Sequence, residues 1–130
     1  AMLARFRMNV PPINAPVAAL SGGQRQIIAI ARAAAWDSKL IILDEPTAAL
    51  GVAETRAVEE VIRELRARGF GILMISHNLD QVFRLADEIW VMRRGRSIGH
   101  RLTAQTNPDE IVGMITGAAL LARTGGSGPA

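Results

Sequence analysis

The sequence holds no cysteine and no tyrosine, one lysine, and only two tryptophans and three phenylalanines among its 130 residues. Without cysteine there is no disulfide scaffold and no thiolate metal site. A membrane-spanning run is also lacking. The longest charge-free apolar stretch, residues 111–122, is twelve residues long and carries two glycines, against the ~20 apolar residues that a spanning helix needs. A secretory leader is not expected either, because Pro11, Pro12 and Pro16 interrupt the only early apolar stretch. These absences make a cytoplasmic location the expectation. No basic block is present: 15 Lys and Arg face 12 Asp and Glu, interleaved along the chain, for a net charge of +3. The pI of about 10.9 follows from having almost nothing that titrates between neutrality and the guanidinium range, and it does not mark a nucleic-acid binder. What is present is a hydrophobic share of 49% against 21% charged, too apolar for a disordered tail. A chain of this length fits one domain and buries roughly two-thirds of its unfolded surface.

Residues 1–8 read as the end of a helix, and the stretch from Asn9 to Pro16 as an extended connector. Ser21 offers a hydroxyl cap to a helix running to about Trp36, with Ile27, Ala31 and Ala34 on one face. Leu40–Leu43 is wholly apolar, as in a strand buried on both faces of a parallel sheet. From Ala53 to Arg68, Val58, Val61, Ile62 and Leu65 recur at helical spacing, with Glu59–Arg63 and Glu64–Arg68 on the wet side and Gly69 at the end. Ile72–Ile75 predicts a second buried strand, Leu79–Ala86 a short helix, and Glu88–Met92 a third strand. Arg94-Gly95 predicts a hairpin turn into residues 97–102. Asn107 caps a last helix with Pro108 at its first position, Asp109 and Glu110 in its first turn, and Ile111, Met114 and Ile115 facing inward. Strand alternating with helix is the α/β parallel pattern. The Gly/Ser/Pro tail, residues 124–130, reads as a frayed end.

Three loops carry chemistry, where such a sheet gathers it at strand C-terminal ends and helix N-termini. Leu20-Ser21-Gly22-Gly23-Gln24-Arg25-Gln26 combines two glycines, which let a ligand approach backbone, with a helix start suited to phosphate; a plain Ser-capped helix is the structural alternative. Ile41-Ile42-Leu43 ends in Asp44-Glu45-Pro46-Thr47, where one carboxylate can hold hydrated Mg²⁺ and its neighbour can position water; the alternative is an acidic turn. Ile75-Ser76-His77-Asn78 offers a histidine after a strand, whose alternative is a capping or core residue. Trp36 and Trp90 are expected to pack against the sheet, His100 and Arg93, Arg94 and Arg96 to sit at a solvated hairpin, and the methionines to fill core.

In this order and spacing the three loops resemble the ATP-binding subunits of ABC transporters, over about residues 16–117. The resemblance implies a partial P-loop NTPase (RecA-like) fold of the α/β class, a parallel sheet with flanking helices. It makes Ser21, Gly22, Gly23 and Gln24 the signature loop that caps the γ-phosphate of ATP held by the opposite subunit. Asp44 takes the Walker B position that organises Mg²⁺, Glu45 that of the carboxylate activating the attacking water, and His77 that of the switch histidine on the γ-phosphate. Ala48 to Gly51 match the loop that crosses the dimer interface. Gly51 stands where many members carry aspartate, as in importers of simple sugars such as ribose, xylose and fructose. Met114-Ile115-Thr116-Gly117-Ala118 is similar to the same branch.

A Walker A loop needs lysine directly after glycine, and the only lysine, Lys39, lies between Ser38 and Leu40. Only 19 residues precede Leu20, and the first is Ala. The expectation is therefore the C-terminal half of a nucleotide-binding domain, lacking the P-loop strand that the family places between the strands ending at Ile75 and starting at Glu88. Residues 1–19 would close a helical subdomain and connector, 20–117 form the half-domain, and 118–130 trail. The implied activity is ATP hydrolysis driving import of a simple sugar, with ATP and Mg²⁺ as cofactors. The implied partners are a second nucleotide-binding domain, head to tail, and membrane permease subunits; the chain would be peripheral to the inner face of the membrane and bind no nucleic acid. Alone, it is expected to be inactive. The alternatives are a nucleic-acid-associated ABC-type ATPase and a non-catalytic interaction fragment.

Overall fold

Ser21 starts the first helix by exchanging hydrogen bonds with Gln24: its hydroxyl accepts the Gln24 N–H at 3.2 Å, and its own N–H donates to the Gln24 side chain at 2.9 Å. This reciprocal cap opens α1 (Gly22–Ala34), in a computed structural model that describes residues 14–35 and 39–118. The expected helix end at 1–8, residues 9–13 of the connector, Trp36 and the tail at 124–130 lie outside the described residues. Two compact units follow one another, Ala1–His77 and Asn78–Ala130.

In the first unit α1 buries Ile27, Ile30, Ala31 and Ala34, the stripe its sequence predicts with Ile30 added. Strand β1 (Leu40–Asp44) pairs in parallel with β2 (Gly71–Ile75), from Leu40 opposite Gly71 to Asp44 opposite Ile75. Between them runs α2 (Val52–Ala67), burying Val58, Val61, Ile62 and Leu65 as expected and closed by Gly69 in the left-handed region at φ +89°. The helices α1 and α2 pack on each other, α1 against β1 and α2 against β2.

Two expectations fail here. Strands β1 and β2 are not covered on both faces: Ile41 and Leu43 are buried, but Leu40, Ile42, Leu73 and Ile75 share a face and are each at least half exposed. A continuous apolar run encodes two covered faces, and the described residues supply helices for one. Glu59 is buried, not on the wet side, and Arg63 reaches in to it at 3.3 Å while also pairing with Glu60 at 2.7 Å. Glu64 and Arg68 do pair.

The second unit opens with α3 (Leu79–Leu85), whose first turn is capped by the Asn78 side chain accepting the Gln81 N–H at 3.1 Å. Strands β3 (Glu88–Arg93) and β4 (Arg96–Leu102) form the expected hairpin, antiparallel, with Arg94 and Gly95 both at positive φ in its turn. Among the described residues β3 pairs only with β4. Asn107 accepts the Glu110 N–H and starts α4 (Pro108–Thr116), with Pro108 in its first turn. Ile111 and Met114 pack with Ile89 and Val91 into this unit's core, whereas Ile115, expected inside, is exposed. Trp90 and Met92, expected to be packed, are each about 60% exposed at 62% and 63%, and Trp90 stacks on the exposed His100 ring at 4.7 Å.

Candidate functional site

Because β1 and β2 are parallel and in register, the residues that follow them emerge at one edge of their sheet. Asp44 is the last residue of β1 and is exposed. Glu45 follows with its amide donating to the Ile75 carbonyl at 2.9 Å and its φ at +46°. That left-handed conformation costs a non-glycine residue roughly 1–2 kcal/mol, a strain typical of positions where a side chain has to be aimed. Glu45 is aimed at His77, just beyond the end of β2. One carboxylate oxygen, Oε1, accepts the His77 backbone N–H at 3.1 Å and lies 2.8 Å from the ring Nδ1. With its proton on Nδ1, the ring donates to Glu45 and turns Nε2 outward. The His77 side chain is 84% exposed, so it is neither the core residue nor the helix cap of the structural alternative; Asn78 is the cap.

The loop at Ser21–Gln24 is built differently. A Cβ on Gly22 would lie 3.1 Å from Leu50 Cδ2, and one on Gly23 would lie 2.9 Å from Glu54 Cβ. The two glycines are therefore needed first of all for the close approach of the segment that follows Pro46. Gly51 differs: nothing lies within 4 Å of a Cβ there, and its φ of −69° suits any residue. The side chain sequence reasoning missed is Glu54. One of its oxygens accepts the Gly23 N–H and the other the Gly51 N–H, both at 3.3 Å. The Ser21 hydroxyl, then those two amides, hold its carboxyl below the usual carboxylate range, with Arg25 adding a favourable charge and burial opposing. An acidic residue three positions after Gly51 is a legible helix-start signal; its reach to Gly23, 31 residues upstream, is not.

The structure thus brings together Asp44, Glu45 and His77 at one sheet edge, and ties Ser21, Gly22, Gly23 and Gln24 to the segment 50–54. Among the described residues no three His, Asp or Glu side chains gather to hold a metal ion. One exposed carboxylate at a strand end fits a cation carried largely by water and phosphate oxygens, as Mg²⁺ commonly is, and does not fit a protein-caged ion. No helix among the described residues is long and apolar enough to cross a membrane.

The family model described as ABC transporter matches residues 2–48. The chain is 45% identical over 119 residues to a xylose/arabinose import ATP-binding protein of Sulfolobus acidocaldarius, covering 92% of this chain and 47% of that protein. It is 49% identical over 111 residues to a fructose import ATP-binding protein of Rhizobium meliloti, covering 85% of this chain and 43% of that protein. The chain therefore spans a little under half the length of each. Among solved structures, it is similar to an ABC transporter of metal-chelate type in an inward-facing conformation, with TM-score 0.69 and 32% identity over 77% of this chain and 40% of that one. An ATP-binding cassette in its ADP conformation is similar at TM-score 0.63 and 29% identity, over 84% of this chain and 41% of that one.

Proposed function

We propose, on the premise that this chain belongs to the ABC transporter ATP-binding family, that it is the C-terminal half of an ATP-hydrolysing subunit that energises import of a simple sugar. The names of its relatives, importers of xylose or arabinose and of fructose, support the sugar. The observation that carries the hydrolytic reading is the Glu45–His77 contact at the shared end of β1 and β2.

Three tasks divide among the residues. Glu45, held at a strained φ with one oxygen on His77, uses its other oxygen to orient and deprotonate the attacking water. His77 turns Nε2 toward the γ-phosphate and steadies the charge that develops there. Ser21, Gly22, Gly23 and Gln24 present their helix start to the γ-phosphate of ATP held by the opposite subunit, where backbone N–H groups and the helix dipole favour an anion. Asp44 is the residue that would hold Mg²⁺, through water, and the ion's chemistry is neutralisation of phosphate charge. ATP is gripped from its other side by polypeptide outside this chain, and a second nucleotide-binding domain and membrane permease subunits complete the assembly at the cytoplasmic membrane face. Solved cassettes of this family include one in dimeric form.

The test is Glu45→Gln in the intact subunit that carries this segment. ATP binding is expected to persist while turnover falls roughly 10²–10⁴-fold. Loss of binding in step with loss of turnover would remove Glu45 from the catalytic role.

A further inference from the structure

We infer that Glu54 is a positioning residue for the phosphate-capping loop: its carboxylate ties Gly23, at the start of α1, to Gly51, at the start of α2, so that the two loops move as one body. The inference rests on the capping role proposed above for residues 21–24, and it adds a side chain that touches no substrate.

Two donors converge on this one group. The Gly23 N–H meets Oε1 and the Gly51 N–H meets Oε2, and the nearby Ser21 hydroxyl helps hold the carboxyl below its usual range. A carboxylate is an acceptor on both oxygens, so it satisfies two amides at once; a glutamine would turn an NH₂ donor toward one of them. Glu54 also stands in the first turn of α2, where the helix dipole favours its charge. The contact is steric as well as polar. The Glu54 Cβ and Cγ occupy the space a Gly23 side chain would need, at 2.9 and 3.1 Å, while Leu50 lies 3.1 Å from the corresponding point on Gly22. Ser21 is fixed too, because its oxygen accepts the Gln24 N–H while its own N–H donates to the Gln24 side chain. The loop that caps phosphate and the loop matched to the dimer crossing are therefore held by one carboxylate, and a displacement of either is passed to the other.

Two measurements test this. The first is amide hydrogen exchange on the intact subunit that carries this segment: Glu54→Ala should speed exchange at Gly23 and Gly51 roughly three- to tenfold, with Glu54→Gln in between. Unchanged exchange at both amides overturns the tie. The second is steady-state kinetics on the intact subunit. Glu54→Ala should lower kcat roughly 10–100-fold while KM for ATP stays within about twofold of wild type, because most ground-state contacts of the nucleotide come from the polypeptide that grips it on its other side; Glu54→Gln should recover part of kcat. An unchanged kcat, or kcat and KM failing together with no recovery by Gln, overturns the positioning role. A wild-type intact subunit without ATPase activity would instead sink the hydrolytic reading, leaving the exchange result to judge the tie by itself.

Discussion

A glycine earns its place through its dihedrals or through the space it leaves, and the glycines around the site separate the two cases. Gly69 stands at φ +89° with nothing near it, a case of dihedral need. Gly22 and Gly23 are cases of space. At Gly22 the neighbour is a leucine methyl that can give way, whereas at Gly23 it is the Cβ of Glu54, fixed to the backbone of α2. Gly23→Ala should therefore destabilise the chain by about 1–3 kcal/mol, and Gly22→Ala by clearly less, as read from urea unfolding midpoints. Equal effects at the two positions would contradict the packing described. The strained Glu45 belongs to the same scale: its backbone is bound to Ile75 and its side chain to His77, so the turn after β1 is held from both ends.

Among the elements, α4 shows how a short helix is anchored to its hairpin. The Glu110 carboxylate accepts the Thr106 hydroxyl and the Arg101 Nε–H, each at 2.6 Å. The Thr106 hydroxyl first, then Arg101, hold its carboxyl below the usual 4.5. A depressed folded pKa adds stability that is complete above the unfolded value and is lost as pH falls through the folded value. Stability should thus drop in acid below about pH 4.5, and the difference between wild type and Glu110→Gln, measured by urea unfolding, should be present near neutrality and shrink as the Glu110 carboxyl becomes protonated in the folded chain as well as the unfolded one. A difference unchanged in acid would contradict the linkage. These local devices were legible in the sequence: the Ser21 and Asn107 caps, the Arg94-Gly95 turn and the stripe of α2 rest on short-range chemistry that three or four residues carry. Burial was less legible. The apolar run of β1 records that both its faces are meant to be covered, not which chain covers them. Glu59 sits at a position that pattern alone assigns to water, yet it is buried, with the half-buried Arg63 bonded to its carboxylate. Of the site, Asp44, Glu45 and His77 could be picked out by their place after apolar strands, whereas Glu54 acts across 31 residues of chain that no local pattern spans.

At the scale of the whole molecule, the described elements leave apolar surface uncovered. Leu40, Ile42, Leu73 and Ile75 lie on one face of the parallel pair, and Trp90 and Met92 on the hairpin. Exposed apolar patches of this kind promote association. The purified chain should scatter light increasingly with concentration, and Ile42→Lys with Leu73→Lys should reduce that scattering; no change would place the association elsewhere. The central claim is that Ser21–Gln24, Asp44, Glu45 and His77 are one side of a phosphate site whose other side comes from polypeptide outside this chain. Its most direct test is steady-state ATP hydrolysis measured side by side on the purified 130-residue chain and on the intact subunit that carries it. Turnover by the intact subunit, abolished by Glu45→Gln, with none above buffer from the chain alone, is the predicted result. Comparable turnover by the chain alone, itself abolished by Glu45→Gln, would contradict it.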